Sequence, residues 1–205
     1  MRYALLSLFA LAACADAPEP DPVLEDGPPP APSSRADRAV ADISEVDGSG
    51  VTGSVEFVDI GDAVEVRFNL SGLSAGEHGF HVHQTGDCGP DSTGTPAGAA
   101  GGHFNPLSSE HGAPGAGPAN RHAGDLGNIE ADAGGNAIGT RVDSVLAFSG
   151  PTSIVGKGFI VHGGKDDLES QPSGDAGPRV GCGVIRMAGD DLEDEPLEDE
   201  PDAGA

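Results

Sequence analysis

VTGSVEFVDIGDAVEVRFNL, residues 51–70, is the stretch whose reading decides the fold. Across 51–58 and again across 63–70, apolar and polar side chains alternate with the period of two that sends neighbours to opposite faces of a strand. Asp59-Ile60-Gly61-Asp62 supplies turn residues between them, so the pair reads as a β-hairpin. Working outward, similar alternation marks 39–46 upstream and 77–84, 122–130, 136–148, 153–162 and 179–187 downstream, eight strands in all. No segment sustains a 3.6-residue apolar period, and 33 Gly and 17 Pro would break one. The predicted fold is therefore all-β, an eight-stranded antiparallel barrel or sandwich. Two connections, 85–121 and 163–178, are long enough to be functional loops.

The ends differ from this body. Residues 1–13 read as a signal peptide: Arg2 supplies a positive charge, and the apolar run 4–13 is too short to span a bilayer. Its ending, Leu11-Ala12-Ala13-Cys14, resembles a bacterial lipoprotein signal in which Cys14 is lipidated; cleavage after Ala10-Leu11-Ala12 is the alternative. Residues 14–36 read as a disordered Pro-rich, acidic tether and 189–205 as a disordered acidic tail, leaving one domain over 37–188. The chain would be exported, to the periplasm or cell envelope, and would touch membrane only through the lipid on Cys14. Its formal charge is −24. Between Asp37 and Met187 there are 20 acidic against 8 basic residues, a net of −12. That balance argues against nucleic acid and anionic membrane surfaces as partners and favours a solvated acidic surface. With Cys14 set aside, Cys88 and Cys182 remain, and an even number in an exported chain points to a disulfide rather than two buried thiols.

All seven histidines fall between His78 and His162. His81 and His83, at i and i+2 of a predicted strand, project from one face and make half a metal site. His103, His111, His122 and Asp125 lie in or beside the first long loop and offer three imidazoles and a carboxylate, a donor set that suits tetrahedral zinc. His162 can complete an imidazole set for copper(II), which accepts nitrogen donors in a tetragonal arrangement.

These residues sit in recognisable surroundings. Gly79-Phe80-His81-Val82-His83, Gly86-Asp87-Cys88, Gly102-His103-Phe104-Asn105-Pro106, His111-Gly112 and Arg121-His122-Ala123-Gly124-Asp125-Leu126-Gly127-Asn128 resemble, in order, the copper/zinc superoxide dismutase family. So do Ile160-Val161-His162, Asp166-Asp167-Leu168 and Gly177-Pro178-Arg179-Val180-Gly181-Cys182-Gly183-Val184-Ile185. The resemblance implies a Greek-key barrel, with copper on His81, His83, His103 and His162 and zinc on His103, His111, His122 and Asp125. It implies that His103 bridges both ions through its two nitrogens, on the order of 6 Å apart. It also implies that superoxide is the substrate, that Arg179 attracts and orients it, and that a Cys88–Cys182 bridge ties the metal loop to the last strand. Asp166 would accept hydrogen bonds from one copper and one zinc histidine, with Asp167 as an adjacent competitor. His78 fits no ligand position and reads as a packing or surface residue.

A net negative body is a poor collector of an anion, but screening at about 8 Å leaves local cations in control, with Arg179 first and Lys157 and Lys165 as candidates. The rival reading is a non-catalytic copper/zinc binding module of the same fold, for which Arg179 beside an open copper position would have no use. A hydrolytic zinc enzyme would need a further carboxylate or Ser nucleophile in recognisable spacing, and a blue-copper carrier would need a Cys ligand. A homodimer is left open by the sequence.

Overall fold

Residues 37–189 are described in the computed structural model of the protein, and in it the 51–70 hairpin forms as read. The signal segment, Cys14, the tether and positions 190–205 of the tail lie outside the described residues. Strands β2 (Thr52–Asp59) and β3 (Val64–Ser71) pair antiparallel with Val55 opposite Phe68 and Phe57 opposite Val66. At the turn, Asp59 accepts a hydrogen bond from the Gly61 amide, and the Ile60 amide donates to the Ala63 carbonyl. The remaining strands are β1 (Arg38–Glu45), β4 (Gly76–His83), β5 (Asp125–Ala131), β6 (Ala137–Asp143), β7 (Gly158–His162), β8 (Arg179–Val184) and the two-residue β9 (Arg186–Met187).

All the ladders are antiparallel, in the order β5-β4-β7-β8-β1-β2-β3-β6, with β9 beside the start of β1. The order is that of a Greek key, and the sheet curls until its two edge strands face each other. Across that seam Arg141 donates to the Asn128 carbonyl at 2.8 Å, and its guanidinium lies 5.3 Å from the centre of the Phe80 ring. Inside the nearly closed barrel, Phe57, Phe159, Phe80 and Phe68 form a chain of edge-to-face rings with centroids 5.4 to 5.7 Å apart. Val55, Val66, Leu70, Val82, Leu126 and Ile185 are buried around them.

Four predicted strands change by more than one residue, each for a local reason. The 179–187 strand breaks at Ile185, whose side chain is fully buried and whose backbone pairs with Gly156 and Lys157, so that β8 and β9 address different parts of β1. The 136–148 strand ends at Asp143, whose carboxylate turns the chain by accepting from the Val145 and Leu146 amides. The 153–162 strand begins only at Gly158, after turns in which Gly156 takes a φ of +77°. At 122–130 the strand starts at Asp125, because that carboxylate accepts the His122 amide and bends the residues between.

Both long connections lie over β4. Beyond the point where β5 leaves it, the strand's free edge is taken up by the first loop: Phe104 donates to the Val82 carbonyl, Val82 to Gly124, and Gln84 to Gly102. The second loop is pinned by Gly79 donating to the Gly164 carbonyl. The Cys88–Cys182 disulfide joins the first loop to β8, with the two Cα atoms 5.8 Å apart. Among the described residues no helix is long and apolar enough to cross a membrane.

Candidate metal centre

β4 is buried on both faces from His78 to His83, as is its neighbour β7 throughout, whereas β1 and β3 alternate buried and more exposed positions. Phe80 and Val82 point into the barrel core, while His81 and His83 point outward beneath the two loops. β7 contributes His162 beside them, and the first loop brings in His103, His111 and His122. The result is two clusters with one shared member: His81, His83, His103 and His162, and His103, His111, His122 and Asp125. Within each cluster one candidate ligand atom per residue lies within 4.8 Å of the others, and every member is buried.

The hydrogen bonds sort the ring nitrogens. His81 Nε2 donates to Asp166 Oδ2 at 2.8 Å, His83 Nδ1 to the Gly101 carbonyl at 2.9 Å, and His162 Nδ1 to the Gly177 carbonyl at 3.1 Å. Each acceptor fixes the tautomer and leaves the opposite nitrogen with a lone pair. Those opposite nitrogens, His81 Nδ1, His83 Nε2 and His162 Nε2, together with His103 Nε2, are buried without any hydrogen-bond partner among the described residues. Burying four acceptors unpaired is costly, and their convergence is what a nitrogen-coordinated cation needs.

The second cluster is organised by Asp125. Its Oδ1 lies 2.7 Å from His103 Nδ1, 3.0 Å from His111 Nδ1 and 3.2 Å from His122 Nδ1. Tetrahedral zinc with bonds near 2.0 Å has ligand-to-ligand edges of roughly 3.3 Å, so this donor set fits zinc in both chemistry and spacing. Asp125 Oδ2 is held separately by the Gly112 and His122 amides, which leaves Oδ1 facing the rings. The His103 ring therefore turns Nδ1 to one cluster and Nε2 to the other.

Charge follows the same division. Burial pushes His103 down to about 4 and His162 down to about 3, and holds His81 and His83 below their ordinary value, so the first cluster is a set of neutral imidazoles. Burial would also lower His111, but Asp125 and Asp166 outweigh it and raise the ring to about 9. Burial alone would raise Asp125 and Asp166; hydrogen bonds from the surrounding rings instead hold both carboxyls well below the usual range.

Arg179, at the start of β8, donates from both terminal nitrogens to the Ala97 and Gly101 carbonyls of the first loop. It lines a cavity of about 590 Å³ together with His83, His103, His122 and His162. Lys157 and Lys165 do not line it: Lys157 reaches the Gln84 carbonyl, and Lys165 pairs with Glu77 at the surface. Asp166 joins His81 Nε2 to His111 Nε2 through its two oxygens, whereas Asp167 caps its own turn at Glu169 and Ser170. His78 is a packing residue, not a surface one: Nδ1 donates to the His162 carbonyl, and Nε2 faces Ser74.

The profile of the family described as "Copper/zinc superoxide dismutase (SODC)" matches residues 51–185. The chain belongs to that family. The matched span contains every residue of both clusters, Asp166, Arg179 and both bridged cysteines. A superoxide dismutase relative, "Extracellular superoxide dismutase [Cu-Zn]" of Caenorhabditis elegans, is 42% identical over 139 residues, which is 65% of this chain and 60% of the relative. The chain thus spans about 60% of the length of that protein. Copper and zinc are the metals of the copper/zinc superoxide dismutase family, and the two clusters offer donors suited to them.

Several residues that build this site carry no signal in the spacing of the candidate ligands. Arg121 is 1% exposed, pairs with buried Asp143, and donates to the carbonyls of His122, Ala123 and Asp125. It clamps the turn that presents two members of the second cluster. Asn128 holds Asp166 by its main chain, donating to the carbonyl and accepting the amide, both at 2.8 Å. Gln171 does the same for His111, at 2.9 and 2.8 Å. Gly174, at a φ of +69°, lies so near the Asp166–His111 bridge that a Cβ there would be 1.8 Å from Asp166 Oδ1. The one available signal was Arg121 itself, a cation written into a run of candidate ligands and small residues.

Proposed function

We propose that the protein disproportionates superoxide to dioxygen and hydrogen peroxide. Copper would be held by His81 Nδ1 and by the Nε2 atoms of His83, His103 and His162. Zinc would be held by the Nδ1 atoms of His103, His111 and His122 and by Asp125 Oδ1. His103 would then be shared by both ions. The observation that carries the reading is the set of four converging, buried, unpartnered ring nitrogens, three of them from residues lining the cavity that Arg179 also lines.

Bound copper supplies one-electron chemistry by cycling between copper(II) and copper(I), and the overall balance is two superoxide ions and two protons to one dioxygen and one hydrogen peroxide. The chain's own groups supply the rest. Arg179 is a cation immobilised by two carbonyls, so it attracts and orients a small anion with little ordering cost on arrival. His103 Nε2 faces the first cluster and can hold a proton whenever that nitrogen is free, placing it next to the incoming anion. Asp166 fixes His81 and His111 together, and the surrounding elements leave the neutral imidazoles buried.

The test is superoxide consumption by the copper- and zinc-loaded protein beside Arg179→Ala and His162→Ala. The loaded wild type should be active, the Arg179 variant weaker, and the His162 variant nearly inactive. A protein that binds both metals tightly and consumes no superoxide would be a binding module, and the proposal would fall. Export belongs to the same reading: a Cys88–Cys182 bridge suits an oxidising compartment, and the relative in C. elegans is named extracellular. A lipid on Cys14, in a periplasmic or envelope location, would appear as a diacylglyceryl mass on the mature N-terminus.

A further inference from the structure

Asp91 lies in the first long loop, twelve residues before His103, and no ligand or hydrogen-bonding role toward the clusters falls to it. Its Oδ1 accepts from the Thr93 amide at 2.8 Å, the Thr93 hydroxyl at 2.6 Å and the Thr95 amide at 3.0 Å. The carboxylate also presses on Gly98, where a Cβ would lie 2.7 Å from Asp91 Oδ2. Gly98 belongs to the single turn Gly98–Ala100, and the carbonyls flanking that turn, Ala97 and Gly101, are the two that hold Arg179. Asp91 therefore lies against the turn whose flanking carbonyls hold the guanidinium.

It is also the charge opposite that guanidinium. Among the described residues lining the cavity, Arg179 is the only Lys or Arg and Asp91 the only Asp or Glu. Burial lowers the Arg179 pKa, and the Asp91 charge acts against that shift, so the two groups feel each other. Hydrogen bonds from Thr93 and Thr95 hold Asp91 at about 2, which keeps it anionic at neutral pH.

We propose that Asp91 is a rate-setting positioning residue: its carboxylate holds the Arg179 platform in place and, in doing so, cancels part of the field that draws small anions into the cavity. The proposal deepens the superoxide reading and rests on it. The two roles separate in one substitution. In Asp91→Asn the Oδ1 acceptor remains for Thr93 and Thr95 while the charge is gone; in Asp91→Ala both are lost.

The experiment titrates azide, followed by visible absorption, into the copper- and zinc-loaded full chain at low and high salt, with superoxide consumption measured in parallel. Asp91→Asn should bind azide two- to threefold more tightly and consume superoxide faster by a similar factor. Both gains should shrink at high salt, as the screening length falls from about 10 Å at 0.1 M to about 3 Å at 1 M. Asp91→Ala should bind azide more weakly than Asp91→Asn, because the platform loosens. Wild-type azide affinity in Asp91→Asn at low salt would overturn the proposal, as would tighter binding in Asp91→Ala than in Asp91→Asn. If Asp91→Ala does not fold, the Asn variant decides alone. A loaded wild type that binds azide but consumes no superoxide would defeat the dismutase reading while leaving the azide comparison intact.

Discussion

Gly174→Ala tests whether the Asp166–His111 bridge is held by lack of room. An alanine at a φ of +69° costs about 1 to 2 kcal/mol from backbone sterics alone. Its Cβ would stand 1.8 Å from Asp166 Oδ1 and 2.6 Å from His111 Nε2, closer than any real contact, so the carboxylate must rotate away. Rotation breaks a hydrogen bond between a carboxylate and a ring raised to about 9, a charge-assisted interaction of about 1.5 to 3 kcal/mol. The expected loss is about 2.5 to 5 kcal/mol. Gly150→Ala is the control, because Gly150 has a φ of +76° with nothing within 4 Å of its would-be Cβ, and it should lose only the backbone part. Urea unfolding of both metal-free variants gives the two values, provided the slope is unchanged. Zinc competition on the same samples should show weaker binding for Gly174→Ala alone, since His111 loses its orienting partner. Equal losses in the two variants, with equal zinc affinity, would refute the steric account.

Three further predictions follow from the same geometry. Arg121→Met should cost about 3 to 5 kcal/mol by stranding buried Asp143, whereas the double variant with Asp143→Asn, which removes the stranded charge but keeps an acceptor for the Val145 and Leu146 amides, should recover part of that loss in thermal unfolding. Metal-free protein should be most stable near pH 6.5. Below that value the unfolded histidines take up protons that His103 and His162 refuse until about 4 and about 3, so stability falls with pH; above it, stability contributed by protonated His111 is lost as pH rises through about 9. A urea midpoint that rises steadily from pH 6.5 to 4 would contradict this. Replacing Cys88 and Cys182 by Ser should lower stability by roughly 4 to 5 kcal/mol for a closed loop of 94 residues, read as the shift in urea midpoint.

The sequence made the fold and the two clusters legible because both depend on short-range pattern. Period-two alternation needs only a few residues to identify a hairpin, and 51–70 folds as read. Likewise the candidate ligands sit within short motifs, and the structure gathers them into the two clusters. What could not be read depends on contacts between segments far apart in the chain. Gln171 clasps His111 across 60 positions, and Asn128 holds Asp166 across 38. Gly174 looks like one turn glycine among many until the bridge beside it is placed. Three of the strand boundaries that moved, at Asp125, Asp143 and Ile185, did so where a carboxylate or a buried side chain overrode the alternation.

The double burial of β4 joins stability to function in one strand. Phe80 and Val82 lock it into the barrel core, so His81 and His83 on the reverse face inherit a rigid backbone. The loops, in contrast, have little apolar surface of their own and are held by polar contacts to that strand and by the Cys88–Cys182 bridge. Rigid positions thus supply His81, His83 and His162, while loop-borne His103, His111 and His122 depend on clamps such as Arg121, Gln171 and Asp166. It follows that damage to a clamp should weaken the second cluster before the first. In Gln171→Ala, where the barrel core is untouched, zinc competition should therefore register a loss that copper competition does not, and equal losses of the two metals would mean that both clusters share one mechanical support.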